Sequence, residues 1–527
     1  MTTSHTRIAL AALALAFIVA ALLFVPRLGI EADEAMIGNG IYQQAAPLYS
    51  WHFGENEVPV MLMSYLGALK TWLMHPWLDL WSPGRTSLRF PMILAGAATL
   101  WLFFTLLNRM HGQRAAWIGT LLLATDPSFL LIEATDFGFV ALQFVFKLSA
   151  LLLLMRFHRE GRQWALVAAF FLFGLALWDK AVFLWVLFGL GVATLVAVPK
   201  ELWQHVSAGG QRIRNAAIAV SSLILGALPL AIYNIVRPLE TLRSNAKVAG
   251  EPVFGKAVIL WRTLDGYVFF GFMTSQEPHS ITGAVHHWYQ AVSLQLSDWT
   301  RHPQHDLILV ALAVSTVVLP FLWRTDARKP MLFGLAASIA TWFAMALTTG
   351  AGGAAQHVIL LWPFPFLVIA VALSLAPRPL ALTLTTVLCL SNLAVTNNYY
   401  ADLIRHGPAI HWTDAIDPLN IYLQSLHADF VFIGDWGYLE TLNLLSEGSL
   451  PVVSGDTADP AEIEKMFGVG KSVFVFHTPP YAVQPELRMR IESVARDHGW
   501  EQQHLQTIYD QNGRPTFDVF RFRKVHL

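Results

Sequence analysis

Long apolar runs recur along this chain, separated by short polar connections. A membrane-crossing helix needs roughly 17–25 apolar residues. Runs of that kind cover residues 8–25, 90–107, 115–133, 137–155, 164–178, 181–198, 216–236, 307–323, 331–349, 358–376 and 380–395, about eleven in all. The first could be a signal peptide, but no small-x-small cleavage site precedes Pro26, so a retained helix is expected.

The stretch 58–77 is apolar but carries Lys70, His75, Pro59 and Pro76. Charge decides its placement. If it does not span, Arg109/Arg114, Arg156/Arg159/Arg162, Lys200/Arg212/Arg214, Arg324/Arg328/Lys329 and Arg378 collect on one side. The short loops opposite then hold few basic residues apart from Lys180, which is the positive-inside pattern. The expectation is a cytoplasmic N-terminus, with interfacial helices in the 26–89 loop on the far side. A second far-side loop covers 237–306.

After residue 395 the pattern changes. "ADFVFIGD" (428–435) and "KSVFVFHT" (471–478) look like short buried strands, and "TFDVFRFR" (516–523) alternates like one. "PELRMRIESVARDHGW" (485–500) is an amphipathic helix. The predicted architecture is a polytopic α-helical membrane domain, 1–395, followed by an extracytoplasmic α/β domain, 396–527.

Composition agrees. The chain is 55% hydrophobic and 13% charged, where a soluble domain is about a quarter charged. A net charge of −1 and the lack of a basic stripe argue against a nucleic-acid partner. The single cysteine, Cys389, excludes an intrachain disulfide.

Charged groups next to a membrane call for a reason. "GIEADEAMIGNG" (29–40) places Glu31, Asp33 and Glu34 just past the first run. They could line a solvated loop, cap a surface helix or do chemistry. Asp136 opens the fourth run on the same side. It could cap that helix, or join Asp33 in taking a proton from a hydroxyl and stabilising positive charge in an oxocarbenium-like transition state. Asp179 and Lys180 form a tight turn at that face. They could pair with each other, or Lys180 could bind a lipid phosphate.

The order of these signals resembles the GT-C superfamily of membrane glycosyltransferases. An acidic pair follows the first run. Then come "ENEVPVMLMSYLGALK", "SLRFPMIL", "ATDFG" and "GLALWDK". Within the superfamily the chain is similar to the branch of protein O-mannosyltransferases and the lipid A aminoarabinose transferase. The likeness is good from 8 to 198 and loose beyond. It implies sugar transfer from a polyprenyl-phosphate donor to a lipid, glycan or protein acceptor outside the cytoplasm, usually with inversion. Asp33-Glu34 would match the acidic pair, with Asp33 as base, and Asp136 the second acid. Lys180, Arg89 and His357 would contact the donor phosphate, His357 and Gln356 falling in "QHVILLWPFP". Where such proteins carry "KPPL" or "HPPL", this chain has "EVPV", so Glu57 replaces a basic residue. Lys70 or His52 could supply that charge. Glu57, Arg243, Lys247 and Arg262 could line the cavity.

Two rival classes stay open: a transporter or flippase of lipid-linked sugars, against which the lack of an internal repeat counts, and an inactive relative acting in envelope glycan assembly. His279, His286, His287, His302 and His305 crowd the outer loops, but no carboxylate or cysteine spacing defines a metal site. A divalent cation stays open as a cofactor. The expected location is a bacterial inner membrane.

Overall fold

The computed structural model describes residues 3–42, 47–198, 211–245, 252–276 and 285–525. Lys200, Lys247 and His279 lie outside them. Each of the eleven apolar runs falls on helix. Among the described residues, six helices are long and apolar enough to cross a membrane: Ser4–Arg27, Arg85–His111, Ala141–Glu160, Arg328–Ala346, Ala355–Leu375 and Arg378–Arg405. The spanning number rises to 8 if each of two bent pairs counts as one. Gln163–Asp179, Phe183–Ala197 and Ile308–Leu322 are apolar but shorter.

We label the first nine helices α1 (Thr3–Phe24), α2 (Ala32–Ala35), α3 (Leu69–Leu80), α4 (Arg85–His111), α5 (Gln113–Thr125), α6 (Pro127–Thr135), α7 (Ala141–Glu160), α8 (Gln163–Asp179) and α9 (Phe183–Ala197). The expected single helix over 115–133 is two, α5 and α6, bent by 61°. Pro127 has no N–H to continue α5. The Asp126 side chain restarts the helix by accepting from Phe129 N at 2.7 Å. The expected helix over 216–236 likewise breaks, by 73°, into Gln211–Gly226 and Leu228–Val236, with Pro229 in the first turn of the second. Gly174 of α8 and Gly226 let these backbones touch: a Cβ on Gly174 would lie 2.3 Å from Leu223 O.

The stretch 58–77 is also corrected. Its first part is strand β2 (Asn56–Met61), which pairs antiparallel with β1 (Tyr49–Phe53). Gly54, at φ 65°, opens the turn between them. Helix begins only at Leu69. Two basic connections meet at one end of the bundle, where Arg159 donates to Arg109 O and Arg114 to Ala376 O.

The expected division at 395/396 falls inside a continuous helix, Arg378–Arg405. Beyond it lies a five-stranded sheet in the order β4-β3-β5-β7-β6. The strands are β3 (Phe430–Ile433), β4 (Val452–Ser454), β5 (Ser472–His477), β6 (Trp500–Tyr509) and β7 (Pro515–Lys524). β4, β3 and β5 are parallel, whereas β7 and β6 add antiparallel. The three expected strands are β3, β5 and β7. The helix expected over 485–500 ends at Asp497, and Trp500 starts β6.

The sheet domain docks on the loops at one end of the bundle. Arg85 pairs with Asp417 and also donates to Pro26 O and Asp414 O. Gly29 N donates to Trp412 O, and a Cβ on Gly29 would fall 1.9 Å from Thr413 O. Helix Leu439–Leu445 lies against α2, where Thr441 Oγ1 donates to Ile30 O.

Candidate active site

The carboxylates of "GIEADEAMIGNG" take three different roles. Glu31 is the N-cap of α2 and accepts from Asp33 N at 2.8 Å. Burial, with Asp33 alongside, pushes its carboxyl well above the ordinary value. Glu34 is fully buried and forms a two-point pair with Arg89, 2.6 and 2.7 Å. Arg89 donates its remaining N–H groups to Val25 O, Leu28 O and Gly29 O. The expected phosphate contact of Arg89 is therefore corrected: all five donors are engaged in holding the loop that follows α1. Asp33 is left partly exposed, and among the described residues its carboxylate has no hydrogen bond or ion pair. Burial raises its pKa, and the Lys180 ammonium offsets part of that rise.

Asp136 ends α6 in the left-handed region, φ 47°. Its Oδ1 accepts from Val140 N and Ala141 N, both at 2.9 Å, so the side chain does head α7. Its Oδ2 lies 2.5 Å from Lys70 Nζ, and both residues are buried. Both oxygens of Asp136 are thus engaged. Lys70 neutralises it, and its ammonium also lies 4.3 Å from the Phe139 ring centre.

The turn between α8 and α9 is buried, and its Asp179 and Lys180 bond other residues rather than each other. Lys180 Nζ donates to Gly138 O at 2.6 Å, and Asp179 accepts from Gln143 at 2.6 Å. The chain after β2 zips onto this turn through Gly67 N to Asp179 O and Ala181 N to Tyr65 O. Burial draws the Lys180 pKa down to about 8, against the opposing pull of Asp33, Asp179 and Asp136. One amine thus sits within electrostatic reach of Asp33 and Asp136. The short helix Ala355–Val358 adds Gln356, whose side chain covers Gly138: a Cβ on Gly138 would be 2.4 Å from it. His357 Nδ1 is buried without a hydrogen-bond partner among the described residues.

Beside this cluster lies a cavity of about 550 Å³, open on one side. Tyr65, Ala181 and His357 line one part of it, and Trp185, Leu223 and Leu230 give it an apolar wall. A carboxylate able to take a proton, an ammonium within its electrostatic reach, and an apolar trough alongside can bind an anionic headgroup with its hydrocarbon.

Four expected residues lie elsewhere. Glu57 and His52 face each other on the exposed β1–β2 hairpin. Arg243 is exposed on helix Glu240–Asn245, and Arg262 is exposed with its guanidinium 5.1 Å from the Tyr267 ring centre. His302 contacts Ser297 and Arg405, while His305 bonds Asp265. No group of three metal-binding side chains occurs among the described residues. The sequence reading missed Glu440 of the sheet domain, whose carboxyl is pushed up by burial and by Asp33.

Comparison with known proteins accords with this geometry. A family model described as dolichyl-phosphate-mannose-protein mannosyltransferase matches residues 67–208, the segment carrying Lys70, Arg89, Asp136 and Lys180. Among solved structures, the chain is similar to ArnT from Cupriavidus metallidurans bound to undecaprenyl phosphate, at 14% identity and TM-score 0.58, with 98% of each chain covered. It is also similar to the arabinofuranosyltransferase AftD from Mycobacteria, at 14% identity and TM-score 0.51, covering 98% of this chain and 40% of that one. No curated protein matches the sequence. The fold is that of the GT-C membrane glycosyltransferases. The likeness in fold to ArnT covers 98% of each chain.

Proposed function

We propose that the protein transfers a sugar from a polyprenyl-phosphate donor to an acceptor hydroxyl on the far side of a bacterial inner membrane, with inversion. The prenyl chain lies in the apolar cavity, and the phosphate meets Lys180, His357 and Gln356. Asp33 takes the proton of the acceptor hydroxyl as that oxygen bonds to the anomeric carbon. The bond from that carbon to the phosphate oxygen breaks, and its electron pair leaves with the polyprenyl phosphate. Lys180 stabilises that departing charge. Arg89, Lys70, Glu34 and Asp136 hold the loops that position these groups.

One observation carries this reading. Of the described acidic groups at this end of the bundle, Asp33 alone combines an accessible carboxylate, unpaired among the described residues, with a lysine beside the apolar cavity. The ArnT structure with undecaprenyl phosphate supports the donor class. The test is Asp33→Asn in full-length protein in lipid nanodiscs. Undecaprenyl phosphate should still bind, while envelope extracts lose the sugar that the wild type adds. Unchanged transfer would remove Asp33 as base.

A further inference from the structure

A second cavity, of about 520 Å³, lies between the sheet domain and the membrane domain. Its size is that of a small-molecule site. One wall is Gly271, Ser275 and Gln276 with Ile410 and Thr413, and the other is Tyr481, Arg514 and Thr516. The lining is rich in hydroxyl, amide and guanidinium groups, unlike the apolar trough near Lys180.

Arg514 is the informative residue. It is only 7% exposed. Nε donates to Asp510 at 2.5 Å and Nη2 to Pro408 O at 2.6 Å. Asp510 Oδ1 in turn accepts from Asn512 N and Arg514 N. Nη1 has no partner among the described residues, although the side chain is fixed at its other two nitrogens. A guanidinium held this way presents its Nη1 N–H donors to an anion with little further loss of side-chain freedom. Tyr481, its ring centre 5.8 Å from the guanidinium carbon, gives the same wall a flat face.

Location adds a second argument. Ligands of open α/β sheets bind outside the carboxyl ends of the parallel strands. Asp435 follows β3, and His477 ends β5. They bond each other at 2.8 Å, and Asp435 Oδ2 also accepts from Val483 N, in the loop that lines the cavity. The cavity is also close to the candidate base. Thr413 lines it and touches Gly29, and Asp33 is four residues further on, so at most about 14 Å of chain separates them.

We propose that this cleft is an acceptor subsite for an anionic carbohydrate, with Arg514 binding its phosphate or carboxylate and the hydroxyl-bearing wall its sugar ring. The inference rests on the transfer reading, since it assigns the cleft to the part of the acceptor beyond the hydroxyl that reacts at Asp33.

The test is binding of glucose 6-phosphate to full-length protein in nanodiscs by saturation-transfer NMR, with glucose and inorganic phosphate as comparison probes. Glucose 6-phosphate should bind more tightly than either. Its affinity should fall at least fivefold in Arg514→Gln and in Gln276→Trp, which fills the cleft from an exposed position. Asp33→Asn and Lys180→Met should bind it as the wild type does. Equal affinity for inorganic phosphate, undiminished binding in Gln276→Trp, or loss of binding in Lys180→Met would overturn the proposal, the last by placing the probe in the donor site. Continued transfer by Asp33→Asn, with cleft binding intact, would instead count against the transfer reading alone.

Discussion

Arg89 and Glu34 form a fully buried two-point ion pair, and Arg89's other donors close onto the carbonyls of Val25, Leu28 and Gly29. The pair fixes the path of the chain between the first helix and Asp33. Removing one partner of such a pair strands the other charge, at about 3–5 kcal/mol. Glu34→Gln should therefore lower the unfolding midpoint in detergent and abolish transfer. Glu57→Gln, on the exposed hairpin, should leave both unchanged. Equal stability of Glu34→Gln and wild type would show that the pair is not structural.

Lys70 and Asp136 form the second buried pair, joining the helix after the hairpin to the start of α7. Lys70→Met and Asp136→Asn should each destabilise by about 3–5 kcal/mol. The double variant should lose less than the sum of the two, because it leaves no stranded charge. Additive losses in a chemical-denaturation cycle would show that the two groups act independently.

The pH profile follows from Asp33 and Lys180. Burial raises the Asp33 carboxyl, so under the proposed mechanism Asp33 should become active as base only above the ordinary aspartate range of about 3.9. Burial draws the Lys180 pKa down to about 8, so under the proposed donor contact capture should fall as pH rises through that value. The ratio kcat/KM for the donor should be bell-shaped, with its basic limb near pH 8. Lys180→Arg stays charged throughout and should remove the basic limb, whatever its maximal rate. A basic limb that persists in that variant would assign it to another group.

Lys147 is a buried amine on α7 that the sequence reading passed over. Its Nζ donates to Leu360 O and Trp362 O, at 2.6 and 2.5 Å, where the helical chain following Gln356 and His357 is interrupted. Pro363 and Pro365, three residues beyond these carbonyls, have no N–H to offer them, so Lys147 ties down the segment that follows His357. Lys147→Met should raise the Kd for undecaprenyl phosphate at least fivefold, measured by native mass spectrometry, with the protein still folded. Unchanged donor affinity would detach Lys147 from the site.

The apolar runs were legible because membrane burial demands long hydrophobic segments whatever their tertiary contacts. Their bends were marked by Pro127 and Pro229, but a proline shows where a helix can break, not that the tertiary packing uses the break. The hairpin at 49–61 was missed because β2, "NEVPVM", merges into the apolar helix that follows. The positions of Asp33, Asp136 and Lys180 were legible from their places after apolar runs. The role of Arg89 was not, since its partners beyond Glu34 are backbone carbonyls, which leave no trace in residue type. Glu440 comes within electrostatic range of Asp33 only through the docking of the sheet domain, and no local pattern announces that proximity.

The most direct measurement is a single-turnover assay of Asp33→Asn beside wild type, with the donor bound in nanodiscs and the envelope acceptor fraction added. The account predicts normal donor binding and a rate lower by 10²-fold or more, on the order of what a general base contributes. A rate within a factor of two of wild type, with the donor equally bound, would contradict it.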